Sequence, residues 1–498
     1  MMERERQRIL RELRHVVTVV LFIAVFVIAA VAHSFAVGLV IALAIAAGFR
    51  MWLRSRERPR ANPALKPVEL APLANALMLG QDVQTGEGVI LSDEQLAAHG
   101  VILGAAGSGK TTTLLTILQD AIRRGQPVVA IDLKDSKAFY NELYAAAQAA
   151  DRQLHYWKFD GIGHWNPLQY GDATELKDKL ISFERFTEPH YQRAAERYLQ
   201  TAIQVLQQAR PDKPVTLAAV VALLDPQRLQ ELFKYVPKEM LARVGPYVSG
   251  LNRDQKSAVS GLQSRLALIS ESAVGQYLQP EEHYTIDLRR ALCGGSEVVY
   301  FGLNSSRYGK LAAQIAALVI QDLTAIAGYR GALNNQPLAL IAVDEFSALD
   351  ADNILSLIAR SREPRMSVLL ATQEMSDLER LAAGFRDQVL GIVGMTVAHR
   401  QSVPASAEMI ARMIGTQTVW KYTEAIHRGP TLGEVFNATY KEPTALGTRR
   451  EVEEFRIHPN IIKDLPTGRA VLITKIPTAS ARIVQVIPGP RKPSSNGR

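Results

Sequence analysis

The run His99-Gly100-Val101-Ile102-Leu103-Gly104-Ala105-Ala106-Gly107-Ser108-Gly109-Lys110-Thr111-Thr112 decides the fold of this 498-residue chain. Its first five residues read as a short apolar strand. Thr112 to Arg124 contains neither Gly nor Pro and reads as a helix. Strand, glycine-rich loop and helix in direct succession make a phosphate cradle. The glycines let backbone N–H groups close around the anion, and the helix N-terminus adds its dipole. Lys110 is expected to reach the β- and γ-phosphates, and the Thr111 hydroxyl to ligate Mg²⁺. Gly104, Ala105, Ala106, Gly107, Ser108, Gly109, Lys110, Thr111 and Thr112 are therefore the candidate ATP-binding residues.

Such a loop needs an acidic partner, and the chain supplies one late. Leu338 to Val343 is an apolar run without polar alternation, as expected of a parallel strand buried on both faces, and it ends in Asp344-Glu345. Asp344 is placed to hold the Mg²⁺ shell. Glu345 is placed to orient and deprotonate the attacking water. A further strand, Ser367 to Thr372, ends in Gln373. That side chain suits sensing the γ-phosphate or positioning water, and equally suits an ordinary polar turn. The strand Gln126 to Asp132 ends in Asp132-Leu133-Lys134-Asp135, which reads equally as a ligand-facing edge of the crevice or as a solvated strand end. Between these strands, Arg360, Arg362 and Arg365 read either as the solvated cationic end of a helix or as an arginine finger reaching a neighbour's nucleotide.

Lys110 and Asp344 are 234 residues apart, which leaves room for an insertion. Helical patterns follow one another at Ala173–Phe186, Tyr191–Gln208, Leu217–Leu224, Gln227–Val236, Met240–Val248 and Arg253–Ile269. We expect an all-α domain over 171–285, dividing an α/β nucleotide-binding domain into 68–170 and 286–487. Sheet signals resume at Val298–Phe301. A helix over 310–328, a strand at Leu390–Ala398 and closing strands at Ala470–Lys475 and Ile483–Ile487 complete it. The Pro- and Ser-containing segment 488–498 reads as a flexible tail.

The net charge of +8 is concentrated at the N-terminus. Residues 1–60 hold ten arginines against four glutamates, which is +6 of the total. The high pI is thus no argument that the rest of the chain binds nucleic acid. Val16 to Phe49 contains no Lys, Arg, Asp or Glu and is interrupted by His33-Ser34. It reads as a transmembrane helical hairpin over 16–49, between a basic terminus, 1–15, and a basic linker, 50–67. The flanking arginines put both termini and the nucleotide-binding body in the cytoplasm, at the cytoplasmic (inner) membrane. The single cysteine, Cys293, excludes an intrachain disulfide framework and a Cys-based zinc site, and reads as a buried small residue.

Taken together, the hairpin, Gly104–Thr111, Trp165-Asn166-Pro167-Leu168, the helical insertion, Phe301-Gly302-Leu303-Asn304-Ser305-Ser306-Arg307-Tyr308, Asp344-Glu345-Phe346 and Leu369–Gln373 resemble conjugative coupling proteins of the TraD/TraG kind, within the HerA/FtsK group of hexameric P-loop motor ATPases. The resemblance implies a RecA-like domain with a mostly parallel central sheet. It implies a ring of six copies with ATP between subunits and DNA, single-stranded in conjugation, in a central channel. It also implies a relaxase and type IV secretion channel proteins as partners. By position, Lys110 and Thr111 become the phosphate and magnesium residues, Asp344 and Glu345 the acidic pair, and Gln373 the glutamine after the third core strand. Arg362 best matches the trans-acting arginine, with Arg360 and Arg365 as rivals. Two features depart from the family. Only a turn fits between the membrane helices, and Leu133-Lys134-Asp135-Ser136 stands where a Pro-Lys-Gly-Asp-like run is common, so no role transfers there. An FtsK-like duplex translocase and an ATPase recruiting protein substrates are the alternatives. The short sheet-rich C-terminal end leaves no obvious room for the winged helix usual in the former.

Overall fold

A computed structural model describes residues 74–489 apart from 162, 182–187, 284, 335, 347–348 and 425–446. The expected hairpin over 16–49, the segments flanking it, and nearly all of the tail lie outside the described residues. In chain order the strands are β1 (Ala76–Asp82), β2 (Gly88–Ser92), β3 (Gly100–Leu103), β4 (Val128–Asp132), β5 (Leu154–Lys158), β6 (His164–Trp165), β7 (Thr285–Ile286), β8 (Val298–Gly302), β9 (Ala339–Asp344), β10 (Met366–Thr372), β11 (Met395–Ala398), β12 (Thr416–Glu424), β13 (Gly447–Phe455), β14 (Arg469–Thr474) and β15 (Ser480–Val486).

Eleven of them form one sheet in the order β2-β1-β15-β14-β11-β3-β10-β9-β4-β8-β5. From β11 to β5 every pairing is parallel. From β11 to β2 every pairing is antiparallel. The parallel part follows from composition. Strands β3, β4, β8, β9 and β10 are buried at every position, which suits near-continuous apolar runs rather than alternation, broken only by Ser367 and by Asp132, Asp344 and Thr372 at their C-terminal ends. Alternate residues of one strand then serve two cores. Val129, Ile131, Ile341, Val343 and Leu370 face one apolar cluster. Val128, Ala130, Leu340, Ala342 and Ala371 face the other, beneath the helices Lys110–Arg123 and Lys137–Ala149.

The chain leaves the large sheet after β5 and rejoins it at β8, and between these β6 and β7 form a separate two-stranded sheet with Trp165 opposite Ile286. The helices between them include Ala173–Ile181, Pro189–Ala209, Leu217–Leu223, Lys238–Ser249 and Arg253–Ser270. Their buried residues join the same cluster as one face of the sheet. The Trp165–Leu168 motif fastens this junction. The Trp165 indole N–H and the Lys179 ammonium both donate to the buried Asp322 carboxylate, at 3.3 and 2.7 Å, and Asn166 donates to the Val215 carbonyl at 2.8 Å.

Three expectations change. Residues Leu390–Ala398 do not form one strand, because Phe385–Ile392 is a helix with Phe385 and Val389 inward, and the strand begins only at Met395. The helix expected over 310–328 runs over Ser305–Gly331, bent at Gly309, whose φ is 43°. Cys293 is half-buried. Among the described residues Ser305–Gly331 is also long and apolar enough to cross a membrane, but most of its apolar face is buried in the core.

Candidate nucleotide site

The glycine-rich loop joins β3 to the helix Lys110–Arg123, which starts two residues earlier than its sequence pattern indicates. Gly107 and Gly109 adopt φ of 72° and 112°, which a side chain would strain. A Cβ on Gly104 would collide with Ser108 and His399. The Ser108 hydroxyl is buried and has no hydrogen-bond partner among the described residues. These features suit a phosphate: backbone N–H groups at a helix N-terminus, a buried hydroxyl without a partner, and a cation at the first helical residue.

That cation is Lys110, 7 % exposed. Its ammonium donates to Asp344 Oδ1 at 2.8 Å and to Glu345 Oε1 at 2.7 Å. The parallel register explains the meeting. Asp344 ends β9 between Asp132 of β4 and Ala371 of β10, so the C-terminal ends of three neighbouring strands face the loop after β3. Glu345 follows at φ 59°, its N–H donating to the Ala371 carbonyl. Lys134 also donates to Glu345 Oε1 at 2.7 Å, and Gln373 Nε2 approaches both Glu345 oxygens at 3.3–3.4 Å. Gln401 Nε2 donates to the Gln373 carbonyl at 3.3 Å.

The charges are unequal in setting. Burial alone would lower the Lys110 ammonium, but the two carboxylates hold it above its ordinary value. Burial pushes the Asp344 carboxyl up against the pull of Lys110. Burial acts the same way on Glu345, yet the hydrogen bonds from Lys110 and Lys134 outweigh it and keep Glu345 ionised. Thr111 and Thr112 are half-buried on the first helical turn. A hydroxyl and a carboxylate oxygen are the hard donors that Mg²⁺ prefers, so Thr111 and Asp344 fit such an ion.

A second set of residues supports the loop from the antiparallel side. The buried His399, just after β11, donates through Nδ1 to the Arg469 carbonyl at 3.0 Å, which leaves Nε2 to accept from the Thr113 hydroxyl at 2.8 Å. Ala105 N–H donates to the Arg400 carbonyl, Gly468 N–H to the Ser108 carbonyl, and the Thr467 hydroxyl to the Gly107 carbonyl. Sequence reading missed His399, Thr467 and Gly468, and placed Lys134 near the crevice without a role. Only the charge of Lys134 at a strand end gave a signal.

The structure brings Lys110, Asp344, Glu345 and Gln373 together. Arg360, Arg362 and Arg365 are exposed and lie before Met366, at the other end of β10 from Gln373. Arg362 caps the helix Ala351–Ser361.

Residues 85–483 match the family of type IV secretion-system coupling proteins, at its DNA-binding domain. The type 4 coupling protein DotL of Legionella pneumophila subsp. pneumophila is 28% identical over 74 residues, a match spanning 15% of this chain and 10% of that relative. Among solved structures, the bacterial conjugative coupling protein TrwBdeltaN70 is similar over 85% of this chain and 90% of its own, with a TM-score of 0.55 at 12% identity. The plasmid coupling protein TrwB in complex with ADP and Mg²⁺ is similar over 80% of this chain and 87% of its own, with a TM-score of 0.52 at 12% identity. VirB4 of Thermoanaerobacter pseudethanolicus is similar over 85% of this chain and 99% of its own, with a TM-score of 0.51 at 12% identity. At such identities the likeness to the solved structures is one of fold.

Proposed function

The chain belongs to the type IV secretion-system coupling protein family, and on that premise we propose that it is a membrane-anchored ATPase that drives conjugative DNA toward a type IV secretion channel. The observation that carries the ATPase reading is Lys110 held between Asp344 and Glu345 beside a glycine loop with a buried hydroxyl that has no partner among the described residues. A triphosphate offers Lys110 oxygens in exchange for those carboxylates. Similarity to a TrwB structure holding ADP and Mg²⁺ supports the same reading.

Each residue then has a task. The N–H groups of the glycine loop other than those of Gly104, Ala105 and Ser108, which already donate to carbonyls, face the phosphates, and Lys110 neutralises them. Thr111 and Asp344 would hold Mg²⁺, which when bound supplies charge stabilisation to the phosphate oxygens. Glu345, ionised, takes the proton of the attacking water, and Gln373 fixes the angle of its carboxylate. The hairpin over 16–49 anchors the chain in the cytoplasmic membrane with both termini inside. Six copies form the working ring around DNA, and Arg362 acts on a neighbour's ATP, with Arg360 and Arg365 as its rivals. A relaxase and the channel proteins are the partners of that assembly.

Two experiments test this. ATP turnover is measured with single-stranded DNA, with duplex DNA and with none. Stimulation by single strands supports the coupling reading, stimulation by duplex alone favours an FtsK-like translocase, and no response favours protein cargo. Separately, Arg362→Ala is mixed with Lys110→Ala. Each alone is inactive, but mixed rings contain interfaces with an intact loop and an intact arginine, so partial activity returns. Co-assembled rings that stay inactive remove Arg362 from the trans role.

A further inference from the structure

The turn after β4 carries a cation that the proposed reaction does not use. Asp132 closes this turn, accepting from the N–H groups of Lys134 and Ser136 at 2.9 and 2.7 Å and from the Tyr300 hydroxyl at 2.9 Å. Asp135 sits at φ 52°. The backbone is tied on both sides, Leu303 N–H donating to the Asp132 carbonyl and Ser305 N–H to the Leu133 carbonyl. Lys134 is therefore presented from a fixed support. Its side chain is 52% exposed, whereas that of Glu345, its partner at 2.7 Å, is 12% exposed.

Glu345 Oε1 is the shared acceptor of Lys110, Lys134 and Gln373. A bound triphosphate draws Lys110 away, because its oxygens replace the carboxylates. Lys134 stands on the turn after a different strand rather than on the phosphate loop, so its pairing with Glu345 can outlast that exchange. A carboxylate still paired with an ammonium is a weaker base, and its reactive lone pair is turned from water.

We propose that Lys134 is a positioning residue that restrains Glu345 after ATP binds, and that the DNA phosphate backbone releases it by competing for the exposed side of the ammonium. This rests on the ATPase and DNA-motor reading above and adds how that site is regulated. Release lets Glu345 turn to the water, so DNA occupancy sets the hydrolysis rate. The half-exposed position suits this, since a phosphate can reach Lys134 without entering the nucleotide cradle.

The test uses the full-length chain and steady-state ATP turnover without DNA and with single-stranded DNA. Lys134→Met should raise the DNA-free kcat by about two- to fivefold, the range spanned by an ion pair with one exposed member. KM for ATP should stay near wild type, and further stimulation by DNA should shrink. Lys134→Arg, which keeps the charge, should reverse most of that rise. Lys134→Met combined with Glu345→Gln should be as slow as Glu345→Gln alone, because the gain acts through Glu345. A Lys134→Met protein with wild-type melting temperature and ATP affinity, but an unchanged or reduced DNA-free kcat, overturns the restraint. Wild-type turnover indifferent to DNA overturns the DNA reading and the releasing ligand with it, while the DNA-free rates of the two proteins still decide the restraint.

Discussion

Strands β9 and β10 meet a buried cation at each end, and the two cations are held differently. At the C-terminal end Lys110 pairs with Asp344 and Glu345, and the carboxylates lift it above its ordinary value. At the opposite end the fully buried Arg330 donates to the Pro364 carbonyl at 2.9 Å and to the Pro337 carbonyl, in the segments that lead into β10 and β9. Among the described residues no carboxylate pairs with it, and burial lowers it to about 10. The difference separates a working cation from a structural one. Side-chain carboxylates can be exchanged for phosphate oxygens, whereas backbone carbonyls that fix two strand entries cannot be surrendered without loosening the sheet.

Exchanging the cations one at a time tests that contrast. Lys110→Ala should have the largest effect. ATP affinity should fall by about 2–5 kcal/mol, since a charged contact is lost from a dry site. The nucleotide-free protein should also lose about 3–5 kcal/mol of stability, because Asp344 and Glu345 remain buried with their main counter-charge gone. Equilibrium ATP binding and chemical denaturation measure the two. Arg330→Met should instead lower stability by about 1–3 kcal/mol through the stranded carbonyls and leave ATP affinity as it was. A large loss of ATP affinity in Arg330→Met would collapse the distinction between the two ends.

A smaller effect concerns two buried histidines, one near each end. His399 supports the glycine loop, and His99 precedes β3 with Nδ1 accepting from the Val368 N–H. Burial depresses each from 6.5 to about 4. Their neutral forms therefore contribute stability that is fully present above the unfolded value of 6.5 and is lost as pH falls from there through 4. Melting temperatures should decline as pH is lowered from 7 to 5, and His399→Gln should flatten part of that decline. An identical pH dependence in His399→Gln would mean that His399 does not carry it.

The parallel core was legible because strands buried on both faces are uninterrupted apolar runs, as at Leu338–Val343, and because the glycine loop has one physical meaning when a strand precedes it and a helix follows. Residues 390–398 misled for the same reason, since an apolar run this short does not distinguish helix from strand. Strand β5, Leu154-His155-Tyr156-Trp157-Lys158, escaped notice because only Trp157 is buried and its other residues are mixed. The β12–β13 ribbon escaped too, being an isolated pair whose Trp420 and Tyr422 are exposed. Asp344, Glu345 and Gln373 could be found at strand ends. His399, Thr467 and Gly468 could not, because they support the loop from residues roughly 300 positions away, through a register that only the folded sheet specifies.

The proposed chemistry makes Glu345 the base of an ATP site completed by Lys110. Glu345→Gln tests it most directly, with ATP binding and single-turnover hydrolysis followed on the same full-length protein. Binding should stay near wild type while hydrolysis slows by about 10²–10⁴-fold, the usual contribution of a positioned general base. Hydrolysis at the wild-type rate by a protein that binds ATP normally would contradict that role for Glu345.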